Sequence, residues 1–209
     1  MQIRRFIILA ALTAASPCLA EDRALFHPTR DVAVDYRSSG GARDQGGDHT
    51  ATMRYTTNGN RMRWENPDGK GYMIMDGDNA RMTIVMTAQH MYMDQPADPS
   101  KMPIFQGNVA HLVKTGTDTV SGLSCTVYDG EMNAHKGQVC LTDDGVLLRA
   151  RSHDADDPHE MVAVKVTYGT QDASLFQPPP DFKKFEMPVM PHGMPNGIPG
   201  RMPPGMTPH

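Results

Sequence analysis

Turn signals recur so often between Asp31 and Tyr168 that no helix of ordinary length fits between them. The sharpest is Asn58-Gly59, which suits a type I′ turn with φ > 0 at both central residues. A hairpin centred there sets Tyr55 opposite Met62 and Met53 opposite Trp64, so four apolar side chains share one face. Arg54, Arg61 and Arg63 fall on the other face. Turn and hydrophobic pattern therefore agree on one register. The three arginines read as a solvated face that discourages edge pairing, or as a contact for lipid phosphates or an anionic partner.

The same construction works twice more. Asp78-Asn79 as a turn pairs Met75 with Met82 and Met73 with Ile84; Ala88-Gln89 pairs Met86 with Met91 and Ile84 with Met93. Ala-Gln is poor turn chemistry, which makes the last register the least constrained. Together these pairings line one face of an antiparallel meander with Met73, Met75, Met82, Ile84, Met86, Met91 and Met93. The opposite face carries Tyr72, Asp76, Arg81, Thr83, His90 and Asp94, giving one buried face and one wet face.

Strands are also expected at Asp31–Tyr36, His111–Lys114, Thr117–Val120, Leu123–Asp129, Gln138–Thr142, Val146–Ser152 and Met161–Tyr168. Residues 38–49 and the proline-rich stretch 95–108 read as loops, Asp143-Asp144-Gly145 as a turn, and Asp172–Phe176 as one helical turn. A mainly β domain follows, a curved antiparallel half-barrel or a sandwich with little helix.

Both ends differ in kind from this domain. Arg4 and Arg5 precede an apolar run from Phe6 to Ala15, and Ser16-Pro17-Cys18-Leu19-Ala20 ends in small residues at −3 and −1. Residues 1–20 therefore read as a secretory signal cut after Ala20, too short for a membrane span, and the product is expected in the periplasm or outside the cell. Lipid on Cys18 is the alternative, against which Pro17 spoils the small-residue pattern. Losing the two arginines takes the net charge from −4 to −6. With no sustained basic stripe, nucleic acid is excluded as a partner. Residues 21–180 form the expected domain, and residues 181–209 a flexible tail. In that tail Met187, Met190, Met194, Met202 and Met206 travel with prolines, His192 and His209. It reads as disordered, as a metal scavenger, or as a contact for an envelope protein.

Of three cysteines, the mature chain keeps Cys125 and Cys140. An exported pair defaults to a disulfide. This one is expected on neighbouring strands, a geometry that suits a directly opposed pair, and it closes a loop of about 15 residues worth roughly 3 kcal/mol in chain entropy. A redox-active pair is the alternative, though Cys-x-x-Cys spacing is absent.

Five segments resemble an uncharacterised bacterial periplasmic domain family. They are Asn60–Glu65, Gly71–Asp76, Gln89–Met93, Gly122–Tyr128 and Cys140–Val146. That family is similar in layout to the outer-membrane lipoprotein carriers and receptors of the LolA/LolB-like fold. The resemblance covers roughly residues 31–185. It implies a curved antiparallel half-barrel whose concave apolar side holds an acyl chain. The chain departs from the true carriers in lacking long lid helices and in adding the Met-Pro tail.

Methionine occurs 17 times against six Phe, six Tyr and one Trp, so thioethers carry volume that aromatics carry elsewhere. Met62, Trp64, Met73, Met75, Met82, Ile84, Met86, Met91 and Met93 are therefore the expected apolar wall for a lipid or other hydrophobic ligand, since Met adapts to irregular partners. No cofactor is required by that reading. The alternative is Cu(I), which thioethers select, held by Met73, Met75, Met91 and Met93. Each Met-x-Met puts two sulfurs on one side of a strand, about 7 Å apart. His90 and His111 complete such a site only if they reach that face, and the register puts His90 on the other. The run from His153 to Glu160 reads as a solvated loop; it matches neither a calcium loop nor a zinc-protease helix. No nucleophile elbow, P-loop or dinucleotide fingerprint occurs, so binding is expected rather than catalysis.

Overall fold

The computed structural model describes residues 24–40, 49–66, 68–98, 112–132, 135–153 and 158–186. Twelve strands form one sheet: β1 (Val32–Gly40), β2 (His49–Thr56), β3 (Arg61–Glu65), β4 (Gly71–Asp76), β5 (Arg81–Met86), β6 (Met91–Pro96), β7 (Val113–Val120), β8 (Leu123–Met132), β9 (His135–Leu141), β10 (Leu147–Ser152), β11 (His159–Tyr168) and β12 (Lys183–Lys184). Their order is β12-β6-β5-β4-β3-β2-β1-β11-β10-β9-β8-β7. Two meanders, β1–β6 and β7–β11, thus lie side by side, joined where β1 pairs with β11. Every pairing is antiparallel except that of β12 with β6. The helical elements among the described residues are short 3-10 turns, Thr87–Gln89 and Ala173–Phe176. No helix among those residues is long and apolar enough to cross a membrane.

The sheet curls on itself. Strand order places β7 four strands from β11, about 19 Å on a flat sheet. Yet Ser121, in the β7–β8 turn, donates its hydroxyl proton to the Ala163 carbonyl of β11 at 2.6 Å. Arg149 of β10 likewise reaches Asp118 of β7 at 2.7 Å. The concave side holds a core of Val32, Val34, Tyr36, Met53, Tyr55, Met62 and Met75 from one meander, with Val120, Cys125, Val127, Cys140, Val146 and Leu148 from the other. Tyr36 is its anchor. It stacks on Trp64 with ring centroids 5.8 Å apart. Its hydroxyl donates to the Leu147 carbonyl at 2.8 Å, and burial pushes its phenol well above the ordinary range.

The three expected registers hold: Tyr55 faces Met62, Met75 faces Met82, and Met86 faces Met91. The turns are longer than expected. Each is a four-residue loop whose last residue takes a positive φ: Asn60 at 46°, Ala80 at 50° and His90 at 52°. Adding one residue to each side of a two-residue turn leaves the pairing unchanged. At Asn58-Gly59 the cause is visible, because Thr57 gives its N–H and its hydroxyl proton to Asp31 instead of to the ladder. The type I′ signature appears instead at Ser121-Gly122, with φ of 50° and 78° between the paired Val120 and Leu123.

Other expectations shift by local irregularities. The two expected strands at His111–Lys114 and Thr117–Val120 correspond to one strand, β7, which begins at Val113 and is bulged between Lys114 and Gly116. Of the two expected loops, residues 38–40 and 49 belong to β1 and β2, and Gln95 and Pro96 belong to β6. The rest of the first loop, 41–48, and residues 99–108 of the second lie outside the described residues. The turn at Asp143–Gly145 is present, with Gly145 at φ 83°; a Cβ there would stand 2.0 Å from the His27 carbonyl oxygen, so only glycine fits. Cys125 and Cys140 form the expected disulfide across neighbouring strands, although the two are not directly opposed. Cys140 faces Val127, two residues along β8, so the bridge runs diagonally across a Cα separation of 5.4 Å. Both cysteines are buried in the core, which removes the access that a redox-active pair needs.

Two carboxylates tie loops to this frame. Asp31 accepts from Thr56, from the backbone and hydroxyl of Thr57, and from the Gln171 N–H. Burial alone would raise its pKa, but these donors outweigh burial and hold it below the ordinary 3.8. Asp144 binds Arg30, Thr142 and Tyr168 in the same way. A depressed native pKa contributes stability above the unfolded value that is lost as pH falls through the native one. Asp31→Ala is therefore expected to cost about 1–3 kcal/mol at neutral pH. That difference shrinks once pH falls below 3.8. Urea midpoints at neutral and acid pH measure it, and an equal loss at both would contradict the assigned role.

Candidate functional site

The β3–β6 meander is the site's frame. Alternation sends every second side chain to the concave face. The observed pairings put Met62 beside Met75 and Met82, Trp64 beside Met73, Ile84 and Met93, and Met86 beside Met91. All nine expected wall residues thus share one face.

Burial divides them. Met62 and Met75 belong to the closed core. Trp64, Met73 and Met82 are partly buried and pack against that core. Ile84, Met86, Met91 and Met93 are also partly exposed but belong to neither of the two apolar clusters. The wall therefore grades from core at β3–β4 to a half-buried thioether surface at β5–β6. Sequence reasoning passed over two residues of the same face. Gln95 faces Met82. Phe185, 40% exposed, donates its backbone N–H to the Tyr92 carbonyl at 2.7 Å just past β12. Lys184 lies alongside Tyr92 and reaches Asp94 on the convex side, so alternation puts Phe185 with Met91 and Met93. β12 has two residues and lies within the stretch assigned to the tail, too short for any periodicity to announce it.

The convex face is drier than its pattern suggests. Ile74 and Val85, on the face of Tyr72 and Thr83, are 4% and 1% exposed. The chain after β11 lies along this side: Arg63 donates to the Leu175 carbonyl at 3.1 Å, and Phe176 is buried. His90 is on this side too, its ring 4.9 Å from that of Phe182 and its Nδ1 3.7 Å from Asp181. It does not join the thioethers, and His111 lies outside the described residues. The three convex arginines are engaged within the sheet. Arg54 and Arg63 share Glu65, Arg61 approaches Asp76, and the Arg63 guanidinium stacks 3.5 Å from the Tyr72 ring centroid. The lipid-phosphate alternative would have to break these pairs.

Two open clefts lie elsewhere. One, of about 320 Å³, is lined by Asp129, Glu131, Lys136 and His153 with Gly130 and Gly137. The other, of about 260 Å³, lies among Ser39, Arg151, Pro158, His159 and Glu160. Neither includes a residue of the methionine face. Residues 154–157 of the acidic loop lie outside the described residues. Among the described ones no three His, Cys, Asp or Glu converge as metal ligands.

Met75→Ala is expected to cost about 2–5 kcal/mol, as a buried methionine does, and Met93→Ala less than about 1 kcal/mol. Chemical denaturation of both variants checks the division, and equal losses would erase it.

No family model matches the chain, and no curated protein matches it. An uncharacterised conserved protein from Thermus thermophilus superposes with a TM-score of 0.54 at 11% identity, over 75% of this chain and 90% of that one. MucB of Pseudomonas aeruginosa, solved with MucA, superposes at 0.49 with 15% identity, over 81% of this chain and 63% of that one. The lipoprotein LppX of Mycobacterium tuberculosis gives 0.39 at 17% identity, over 68% and 88%. The chain thus has the curled, mainly antiparallel sheet that its strand pattern predicts, a fold it shares with the Thermus protein.

Proposed function

We infer that this chain is an exported, periplasmic or secreted, binding protein for a hydrophobic ligand, a lipid or lipoprotein acyl chain, and not an enzyme. One observation carries the reading. A continuous register sets nine apolar side chains on one face, and seven of them, Trp64, Met73, Met82, Ile84, Met86, Met91 and Met93, are not fully buried. A contiguous, partly exposed apolar face of this kind is where a protein meets a ligand or partner. Each methylene buried there contributes roughly 0.8 kcal/mol, so eight suffice for about 6 kcal/mol. Few polar groups stand on this face to specify a headgroup. Selection would therefore rest on chain shape, for which flexible thioethers suit more than one ligand. The N-terminal signal pattern supports export, and the buried disulfide suits an oxidising compartment.

A second reading, Cu(I) binding, is favoured by the direct cross-strand pairing of Met86 with Met91, next to Met93. Native mass spectrometry of the chain purified from its own envelope, before and after Cu(I) addition, separates the two. Co-purified lipid without copper uptake is the expected result. Stoichiometric copper that is lost in a Met86→Leu/Met91→Leu/Met93→Leu variant would sink the lipid reading, because leucine keeps the apolar surface and removes the sulfur.

A further inference from the structure

Every second residue of the β12 edge shares the methionine face. The Lys183 N–H donates to the His90 carbonyl at 3.0 Å, and the Phe185 N–H to the Tyr92 carbonyl at 2.7 Å. In a parallel ladder these bonds set Lys183 level with Met91 and Phe185 level with Met93. Side chains at the same level point to the same side of a sheet, so Lys183 stands on the concave face at its open margin. The observed registers carry both levels across the meander. One runs from Lys183 through Met91 and Met86 to Gly71. The next runs from Phe185 through Met93, Ile84 and Met73 to Trp64.

Lys183 is the one charged residue that these pairings put on the concave face of β3–β6 and β12. Its charge is uncompensated. Arg54, Arg61, Arg63 and Arg81 each meet a carboxylate on the convex side. The acids nearest β12 in the chain and on β6 are engaged away from Lys183. Asp94 and Glu186 lie 3.6 and 3.8 Å from the Lys184 ammonium, and Asp181 lies 3.7 Å from the His90 Nδ1. Lys183 is exposed and makes no ion pair or side-chain hydrogen bond with any described residue.

An unpaired ammonium at the end of an apolar strip complements an amphiphile with a negative head. The lysine stem can lie along the thioethers while Nζ stays at the water boundary. From there Nζ can donate charge-assisted hydrogen bonds to carboxylate or phosphate oxygens. The dimensions suit a single chain. From β12 to β3 is four strand spacings, about 19 Å, and a carbon zigzag with bonds of about 1.5 Å advances about 1.25 Å per bond, so about fifteen carbons span it.

We propose that this face takes an anionic single-chain amphiphile, its carboxylate or phosphate head at Lys183 and its chain over Phe185, Met93, Ile84 and Met73 toward Trp64. The proposal names the ligand class of the hydrophobic-ligand function inferred above and rests on it. One compact point charge distinguishes the sign of a head group and little of its structure, so chain shape still selects among anions.

The test titrates the chain from Glu21 to His209 with tetradecanoate, tetradecyl phosphate, tetradecyl maltoside and tetradecyltrimethylammonium, each below its micellar concentration. Calorimetry gives the affinities, and fluorescence of Trp64, the only tryptophan, reports arrival of the chain. Both anions should bind about fivefold more tightly than the maltoside, and added salt should shrink that margin. Lys183→Gln should remove the margin without changing maltoside affinity. Lys183→Arg should keep it, as should Lys184→Gln, which removes the same charge from the convex side. Preference for one anion alone upholds the site and identifies the head as carboxylate or phosphate. Equal affinity for anionic and neutral probes, unchanged in Lys183→Gln, overturns the anionic head and keeps the hydrophobic-ligand reading. A loss in Lys184→Gln as large as in Lys183→Gln overturns the site in favour of net charge. If none of the four probes binds, the hydrophobic-ligand reading fails and this proposal with it.

Discussion

The antiparallel seam between β1 and β11 holds the molecule together. Each meander alone is a local run of hairpins with its own turns. The seam makes them one sheet, pairing Val32 with Tyr168 at one end and Gly40 with His159 at the other. Within it, the register shifts between Asp35 and Tyr36. A bulge raises local twist and re-aims the following side chain. The extra residue is Val164 of β11, and the step turns Ala163 into the core, while β1 alternates unbroken to Tyr36, which reaches β3 through Trp64 and β10 through the Leu147 carbonyl. The seam thus places Tyr36 from one side and Ala163 from the other in the common core over which both halves close.

That closure is uneven, and the unevenness shapes the candidate site. In the β7–β11 meander, β8–β10 are covered on both sides. Their concave face joins the shared core, and their convex face is packed by Ala24 and Phe26 against Tyr128, Val139 and Leu141. The β3–β6 meander has the segment after β11 on its convex face and grades outward into half-buried methionine on its concave one. The same residue type therefore serves as core filler at Met62 and Met75 and as surface at Met91 and Met93. Position in the curl decides which.

Much of this was legible because period-two alternation and turn placement act within ten residues of each other. The nine wall residues and their pairings follow from that local information. What escaped was set from a distance. Thr57 is drawn to Asp31, 26 residues away, and that changes the turn but not the register. The bulge in β7, the diagonal disulfide and the pairing of β12 all depend on where another strand lies. So does the burial of Ile74 and Val85 within an otherwise polar pattern, since the segment that lies along them comes about a hundred residues later. The extent of the open surface was equally invisible. Alternation assigns a face, but only the curl tells which part of that face closes.

An open sheet of this size has two free ends, and each is built to reject company. At one end β12 offers two lysines side by side and only two paired residues. At the other, β7 carries Lys114, a bulge and Gly116. Short length, ammonium groups and a broken ladder are what keep an exposed strand from templating another chain. Among the described residues, then, the sheet margins resist fibre-like stacking, and a sticky thioether surface can be carried at high local concentration without its backbone joining that of a neighbour.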